Sequence, residues 1–108
     1  MPKGYEVARI AVKDDKRLRA ALPRNARLVA LDERGKDYST RQFAGLLRIE
    51  TAFLIGGPVG LDSSIKDEAS LLLRLSAMTL PHALAQVLLL EQLYRAATLL
   101  TGHPYHRE

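Results

Sequence analysis

The fold is decided by residues 52–75, AFLIGGPVGLDSSIKDEASLLLRL, in which two short apolar runs flank a polar, helix-like segment. The run at 52–55 contains no polar residue, as is typical of a strand buried on both faces of a parallel sheet. Glycines and a proline then break the pattern. Asp62 or Ser63 can cap a helix over 63–70. A second buried strand at 71–75 completes a predicted strand–helix–strand unit.

The same alternation extends towards the N-terminus. We predict strands at 5–12 and 26–31, helices at 14–22 and 40–48, and a polar loop at 32–37. Ser39 and Gln42 fit a capping box at the start of the second of these helices. With the helix that ends the chain, the pattern gives four β–α units. They predict a single α/β domain over 1–108, with a parallel sheet covered by helices on both faces.

The last helix is predicted from about 82 to 101, with Thr79 as its N-cap, Pro81 in its first turn and Gly102 as its stop. Its apolar residues cover most of its circumference, whereas a helix on the outside of a sheet needs a single apolar stripe. We therefore predict a homodimer through residues 82–101. The alternative is a helix buried within its own domain.

Composition excludes several classes of protein. The 108 residues include no Cys, which excludes disulfides, thiolate metal sites and Cys nucleophiles. A metal site would have to use His82, His103 or His106, and no metal is expected. The N-terminus lacks the apolar core of a signal peptide. Polar side chains interrupt the longest apolar stretch, at 83–100, so no membrane span is expected. We predict a soluble, cytoplasmic protein.

Charge is distributed unevenly along the chain. Residues 1–48 contain 12 Lys and Arg against 6 Asp and Glu, whereas residues 49–108 contain 4 against 6. This asymmetry favours an anionic partner, such as a nucleic acid, for the N-terminal half. The alternative is an ordinary solvated basic surface.

Three loops are predicted at the carboxyl ends of the strands, where parallel α/β sheets bind ligands. They are residues 31–36, 56–60 and 75–80. The glycine-rich sequence IGGPVG is neither a phosphate-binding P-loop nor the dinucleotide fingerprint. Taken alone, these loops are compatible with tight turns and with a plain strand-to-helix connection.

Several motifs occur in a fixed order along the chain. They are LDERGK at 31–36, ST and FA at 39–44, FLIGGPVG at 53–60, LSAMTLPH at 75–82, EQLYRA at 91–96 and HPYHR at 103–107. Together they resemble the RlmH family of SPOUT methyltransferases. The resemblance covers residues from about 26 to the end. Members of the RlmH family use S-adenosylmethionine (SAM) to methylate N3 of a pseudouridine in helix 69 of 23S ribosomal RNA. Compared with them, this chain lacks a first strand–helix unit, so we expect an N-terminally shortened SPOUT domain.

The resemblance implies a C-terminal trefoil knot, formed around 56–60 and 75–80 with the last helix threaded through it. It also implies a pocket that binds SAM largely through main-chain groups. The expected cofactor-binding residues are Leu31, Gly56, Leu75, Ser76, Ala77, Met78, Thr79 and Leu80. Family members are dimers through the last helix, in agreement with its apolar excess.

The resemblance further implies catalytic roles in the tail. His106 is the expected base for the N3 proton, because imidazole ordinarily titrates near neutral pH. Tyr105 and Arg107 would orient the target base or its anion, in the pocket of the partner subunit.

Arg34 is expected to contact RNA, with Lys3, Arg9, Lys13, Lys16, Arg17, Arg19, Arg24 and Arg27 forming a wider basic surface. The alternative is a non-catalytic dimeric RNA-binding or interaction protein derived from this family, or a minimised knotted protein.

Overall fold

The computed structural model describes residues 4–12, 14–56, 60–102 and 105. Four helices and three strands alternate along these residues. The helices are α1 (Asp15–Ala21), α2 (Thr40–Leu46), α3 (Ser63–Glu68) and α4 (His82–Thr101). The strands are β1 (Arg27–Asp37), β2 (Thr51–Leu54) and β3 (Leu71–Arg74). The predicted helices and the predicted strands at 26–31, 52–55 and 71–75 are therefore confirmed, with their ends shifted by a few residues.

The strands form one parallel sheet in the order β2-β1-β3. β1 is the central strand, and Val29 pairs with Phe53 of β2 on one side and with Leu71 of β3 on the other. Val29 and Ala30 have no exposed surface, because both faces of the central strand are covered. The apolar run 28–31 within β1 is typical of a central strand that is covered on both faces.

Helices cover both faces of the sheet, as the sequence predicted. On one face, Val29 and Leu73 pack with Phe43 of α2 and with Leu93 of α4. On the opposite face, Ala30 and Leu54 pack with Ile65 of α3, and the half-buried Leu18 and Leu22 add α1 to this cluster. Because alternate side chains of a strand point to opposite faces, the adjacent residues Val29 and Ala30 serve two different cores.

The predicted strand at 5–12 is wrong. These residues form no ladder with the sheet, and the side chains of Val7 and Ile10 are largely exposed. Their contact with the rest of the chain includes a hydrogen bond of 3.2 Å from Arg9 Nη2 to Gln86 Oε1 on α4. The prediction rested on the β-branched and aromatic residues of this segment, and strand propensity does not provide the hydrogen-bonding neighbour that a strand requires.

The predicted polar loop at 32–37 is part of β1, although it interrupts the ladder. Leu31 and Lys36 both lie opposite Leu73, so residues 32–35 leave the register and form an excursion at the carboxyl edge of the sheet. Gly35 makes this possible, since a Cβ placed there would lie 2.6 Å from the carbonyl carbon of Leu72. We call residues 32–35 the β1 excursion.

The predicted N-caps are confirmed at two helices and wrong at one. Ser39 forms a reciprocal capping box with Gln42 at α2, and Asp62 caps α3. Asp14, predicted within the first helix, is instead the N-cap of α1. Thr79 does not cap α4. Pro81 is the N-cap residue there, without a side-chain hydrogen bond, because α4 begins at His82 and Thr79 lies too far upstream to reach its first amides. At the other end, Gly102 terminates α4 in the left-handed conformation, as predicted.

We expect Gly35→Ala to destabilise the protein by about 1–3 kcal/mol, the usual cost of overpacking. The new methyl group would overlap the main chain of β3, which cannot move without disturbing the ladder. Gly45→Ala on α2 is the matched control. It meets nothing within 4 Å and should stabilise the helix by about 0.5–1 kcal/mol. Urea unfolding of both variants measures the difference, and equal stabilities would contradict the close approach at Gly35.

Candidate functional site

A cleft of about 710 Å³ opens at the edge of the sheet where the three strands end. Its volume lies within the range of small-molecule sites. The lining comprises Leu31, Asp32, Glu33, Arg34, Ile55, Gly56, Gly60, Leu61, Lys66, Leu73, Arg74, Leu75, Ser76, Met78, Thr79, Leu80, Pro81, His82 and Ala85. β1 contributes Leu31 and the first residues of its excursion, and the chain after β2 contributes Ile55 and Gly56. The end of β3, the β3–α4 loop, Lys66 of α3 and the start of α4 also contribute to the lining. This is the position at which parallel sheets generally bind ligands.

The cleft brings together most of the residues that the sequence assigned to cofactor binding. Those on its lining are Leu31, Gly56, Leu75, Ser76, Met78, Thr79 and Leu80. Ala77, which belongs to the same loop, is not among the described residues that line the cleft. Residues 57–59 of the glycine loop lie outside the described part of the chain.

The loop between β3 and α4 offers main-chain groups to the cleft. Ser76 Oγ accepts a hydrogen bond of 3.0 Å from the amide of Met78, which fixes the turn of this loop. The side chain of Met78 is 77% exposed, so it lies at the mouth of the cleft and does not fill it. The half-buried Leu31, Ile55 and Leu80 supply apolar surface. This combination suits a flat, partly apolar ligand held by peptide groups.

The two described ends of the glycine loop, Gly56 and Gly60, lie close together at the cleft. A Cβ at Gly56 would lie 2.6 Å from the carbonyl carbon of Gly60 and 2.6 Å from the amide nitrogen of Leu61. Any other residue at position 56 would therefore push the two ends of the loop apart. The absence of a side chain here serves main-chain packing beside the cleft.

Asp32 and Lys66 form an ion pair on the cleft lining that sequence reasoning missed. Lys66 Nζ lies 2.7 Å from Asp32 Oδ2, and the Asp32 side chain is only 9% exposed. The amide of Arg34 donates a second hydrogen bond of 2.7 Å to Asp32 Oδ1. The hydrogen bond from Lys66, followed by that from the Arg34 amide, lowers the pKa of Asp32 below its ordinary value. The sequence places Asp32 directly after the apolar residues of β1, which indicates that it lies at the carboxyl end of a buried segment. Nothing in the sequence indicated that Lys66 is its partner.

A second ion pair joins β1 to β3 beside the cleft. Arg74 Nε donates a hydrogen bond of 2.7 Å to Asp37 Oδ1, and the two residues are also partners in the ladder. The hydrogen bond from Arg74 lowers the pKa of Asp37. Arg74 is therefore held by the sheet, although it lines the cleft.

Of the predicted catalytic residues, Tyr105 is described, while His106 and Arg107 lie outside the described residues. The ring of Tyr105 packs edge-on against Tyr94, with centroids 4.7 Å apart, and the Arg95 guanidinium lies 5.0 Å from its centroid. Its hydroxyl donates to Glu91 Oε1 at 3.4 Å. Tyr105 is thus held on the side of α4 and is not on the lining of the cleft in its own chain.

Some of the residues assigned to RNA binding are exposed, whereas others have side-chain partners within the domain. Arg34 is exposed and lines the cleft, and Lys16 and Arg17 are exposed on α1. Arg9 contacts Gln86 of α4. Arg19 pairs with Glu68 and Ser64 of α3, so its charge also holds α1 against α3. Lys3 and Lys13 lie outside the described residues.

The surface of α4 carries apolar side chains that its own domain does not cover. Leu84, Val87 and Leu90 are between 42% and 61% exposed. They are spaced three residues apart, which places them along one face of the helix. Leu89 and Leu93, in contrast, face the sheet and are buried. We call Leu84, Val87 and Leu90 the apolar stripe of α4.

The described residues contain neither a cluster of metal ligands nor a helix that could span a membrane. No group of three or more His, Asp or Glu side chains there is arranged to hold a metal ion. No helix among them is long and apolar enough to cross a membrane.

Comparison with known proteins gives consistent matches over nearly the whole chain. A family model described as "Predicted SPOUT methyltransferase" matches residues 2–106. Curated relatives called ribosomal RNA large subunit methyltransferase H include one from Paraburkholderia xenovorans, 59% identical over 84% of this chain. Another, from Polynucleobacter necessarius, is 48% identical and covers 100% of this chain and 92% of the relative. The chain spans 62% of the length of the Paraburkholderia xenovorans protein.

We expect Asp32→Asn to flatten the acid limb of the pH–stability profile. Because the pKa of Asp32 is lowered by folding, its contribution is fully present above the ordinary carboxyl value of 3.8 and is lost as the pH falls below it. The variant should therefore be less stable than the wild type at neutral pH and approach it in acid. Urea unfolding at a series of pH values measures this. Asp67→Asn, which removes an exposed carboxylate from α3, is the control, and equal flattening in both variants would contradict the role of Asp32.

Proposed function

Because the chain belongs to the SPOUT methyltransferase family, among the ribosomal RNA large subunit methyltransferases H, we propose that it transfers a methyl group from SAM to N3 of a pseudouridine in helix 69 of 23S ribosomal RNA. The observation that carries this proposal is the cleft at the carboxyl edge of the sheet. Its lining contains Leu31, Gly56 and most of the β3–α4 loop, the residues that the family resemblance assigns to the cofactor. A ribosomal RNA substrate would place the activity in the cytoplasm.

The residues of the cleft fit SAM in size and in chemistry. A volume of about 710 Å³ is sufficient for a nucleoside with an amino-acid tail. Leu31, Ile55 and Leu80 would flank the adenine ring, and peptide groups around Ser76 and Thr79 would bind its polar edge. Ala77 is not among the lining residues, so its assignment to the cofactor rests on the family resemblance.

When bound, SAM supplies a methyl group carried by a positively charged sulfur. The residues of the chain must then place N3 behind that methyl carbon, exclude water and accept the proton that N3 loses. We assign the proton to His106 and the orientation of the base to Tyr105 and Arg107. The position of Tyr105 on α4, away from the cleft of its own chain, supports a tail that serves the cleft of a second subunit.

The dimer and the knot are parts of the same proposal. The apolar stripe of α4 would form the centre of a two-fold interface, because apolar side chains on one helix face are stabilised when a second copy covers them. The trefoil knot would be formed by the glycine loop and the β3–α4 loop, with α4 passing through it. The close packing of Gly56 against Gly60 and Leu61, beside the β3–α4 loop, supports such a compact arrangement.

Substrate RNA would meet the exposed basic side chains near the mouth of the cleft and on α1. Arg34, Lys16 and Arg17 are exposed candidates. Arg9 is exposed as well, but its guanidinium contacts Gln86. Phosphate contacts of this kind give affinity and orientation without reading sequence. Arg19 would contribute less than the sequence suggested, because its guanidinium is shared with Glu68 and Ser64.

Titration with S-adenosylhomocysteine, the unreactive product, should show saturable binding of about one molecule per subunit. Thr79→Phe should weaken this binding roughly tenfold or more, because the ring would occupy the lining of the cleft. Ala20→Phe is the control, since Ala20 is exposed on α1 and away from the lining. Calorimetry measures both, and the wild-type protein should then methylate ribosomes at N3 of the pseudouridine, as located by mass spectrometry of 23S ribosomal RNA digests.

Three outcomes would contradict the proposal. Folded wild-type protein that does not bind S-adenosylhomocysteine would contradict the cofactor assignment. Equal affinities for Thr79→Phe and Ala20→Phe would move the ligand away from this cleft. Binding of cofactor and RNA without methyl transfer would favour the alternative, a non-catalytic dimeric RNA-binding protein of this family.

We expect the wild-type protein to sediment as a dimer and Val87→Asp to sediment as a monomer. Val87 is 61% exposed in the single chain, so a carboxylate there leaves the domain core intact and charges only the apolar stripe of α4. Ile49→Asp is the matched control, because Ile49 is 52% exposed and lies outside α4. Analytical ultracentrifugation measures the association. A dimer that withstands Val87→Asp but not Ile49→Asp would place the interface elsewhere.

A further inference from the structure

We propose that Asp32 and Lys66 are positioning residues, which hold the β1 excursion against α3 and thereby present Arg34 to an anionic group of the RNA substrate. This inference rests on the proposed function and assigns a role to two residues that the mechanism above does not use.

The first support is the geometry around Asp32. One carboxylate oxygen lies 2.7 Å from Lys66 Nζ, and the other accepts the amide of Arg34 at 2.7 Å. Both oxygens are therefore engaged, and one of them fixes the main chain of Arg34 itself. With only 9% of its side chain exposed, Asp32 is shielded from the water that would weaken these bonds.

The second support is the attachment of the excursion at both ends. At its C-terminal end, Gly35 lies directly on the main chain of Leu72 and Leu73 in β3. At its N-terminal end, Asp32 reaches across to Lys66, whose neighbour Ile65 is 1% exposed and fixes α3 in the core. The two residues between these attachments are exposed, and Arg34 is the basic one.

The third support is energetic. Ion pairs that are partly buried are weak contributors to stability, because desolvation offsets most of the attraction. The Asp32–Lys66 pair is therefore better explained by its effect on the position of Arg34 than by its contribution to the stability of the domain. Arg34 lines the mouth of the cleft, and a guanidinium held there can form a charge-assisted hydrogen bond with a phosphate oxygen or with the deprotonated base.

The excursion can be tested without substrate through hydrogen exchange of the Arg34 amide. Lys66→Met should accelerate this exchange at least tenfold, because Asp32 loses the partner that keeps it in place. Lys66→Arg should restore most of the protection, since it retains the charge. Lys36→Met is the matched control. It removes a lysine from β1, the strand that carries the excursion, and Lys36 takes no part in the Asp32–Lys66 pair. Unchanged exchange in Lys66→Met would overturn the proposal.

The link to substrate is tested by a double-mutant cycle on the KM for ribosomes. Arg34→Ala should raise KM roughly tenfold in the wild-type background, as expected when one charge-assisted hydrogen bond is lost. In the Lys66→Met background the same change should have little further effect, because Arg34 is already misplaced. A purely structural role of Lys66 would lower stability and leave the full effect of Arg34→Ala, which would overturn the proposal.

Failure of the proposed function is distinguishable from failure of this inference. If the wild-type protein does not methylate ribosomes, the proposed function fails while the exchange experiment still decides the positioning pair. Loss of protection at the Arg34 amide in Lys66→Met, with rescue by Lys66→Arg, supports the pair. The same exchange rate in all variants overturns it.

Discussion

The structure depends on the double pairing of the central strand β1. Val29 and Ala30 are fully buried on opposite faces, and both edges of the strand form parallel ladders with β2 and β3. Parallel pairing requires that all three strands run in the same direction, so their carboxyl ends meet at one edge. The helices must then cover both faces, which leaves that edge as the open part of the domain. The position of the cleft is therefore a consequence of how β1 is paired.

Close main-chain packing determines the kind of cleft that forms at this edge. Gly35 lies on the backbone of β3, and Gly56 lies on the backbone at Gly60 and Leu61. Gly56 and Gly60 therefore border the cleft with main chain alone, beside the charged residues Asp32, Arg34 and Lys66. The glycine loop matches neither the P-loop nor the dinucleotide fingerprint, although its ends lie on the cleft.

The sequence was sufficient for the elements whose signals are local. The capping box at Ser39 and Gln42, the cap at Asp62 and the stop at Gly102 act within a few residues, so the helices were predicted closely. The failures involve partners that are distant in the chain. Residues 5–12 have a strand-like composition but no ladder partner, and the β1 excursion depends on the contact of Gly35 with Leu72. The Asp32–Lys66 pair was missed for the same reason, because it joins β1 to α3.

The uneven charge of the chain indicated an anionic partner. The structure shows, however, that several of the cationic side chains already form ion pairs within the domain. Arg19 is bound to Glu68, Arg74 to Asp37 and Lys66 to Asp32, so these cations hold elements of the domain together. Arg34 differs, because its main chain is fixed by Asp32 while its side chain remains exposed at the cleft. An acidic residue thus improves the presentation of a basic one. The contribution of an arginine to the free energy of substrate binding depends on such placement, because ordering a mobile side chain costs part of the free energy that its contacts supply.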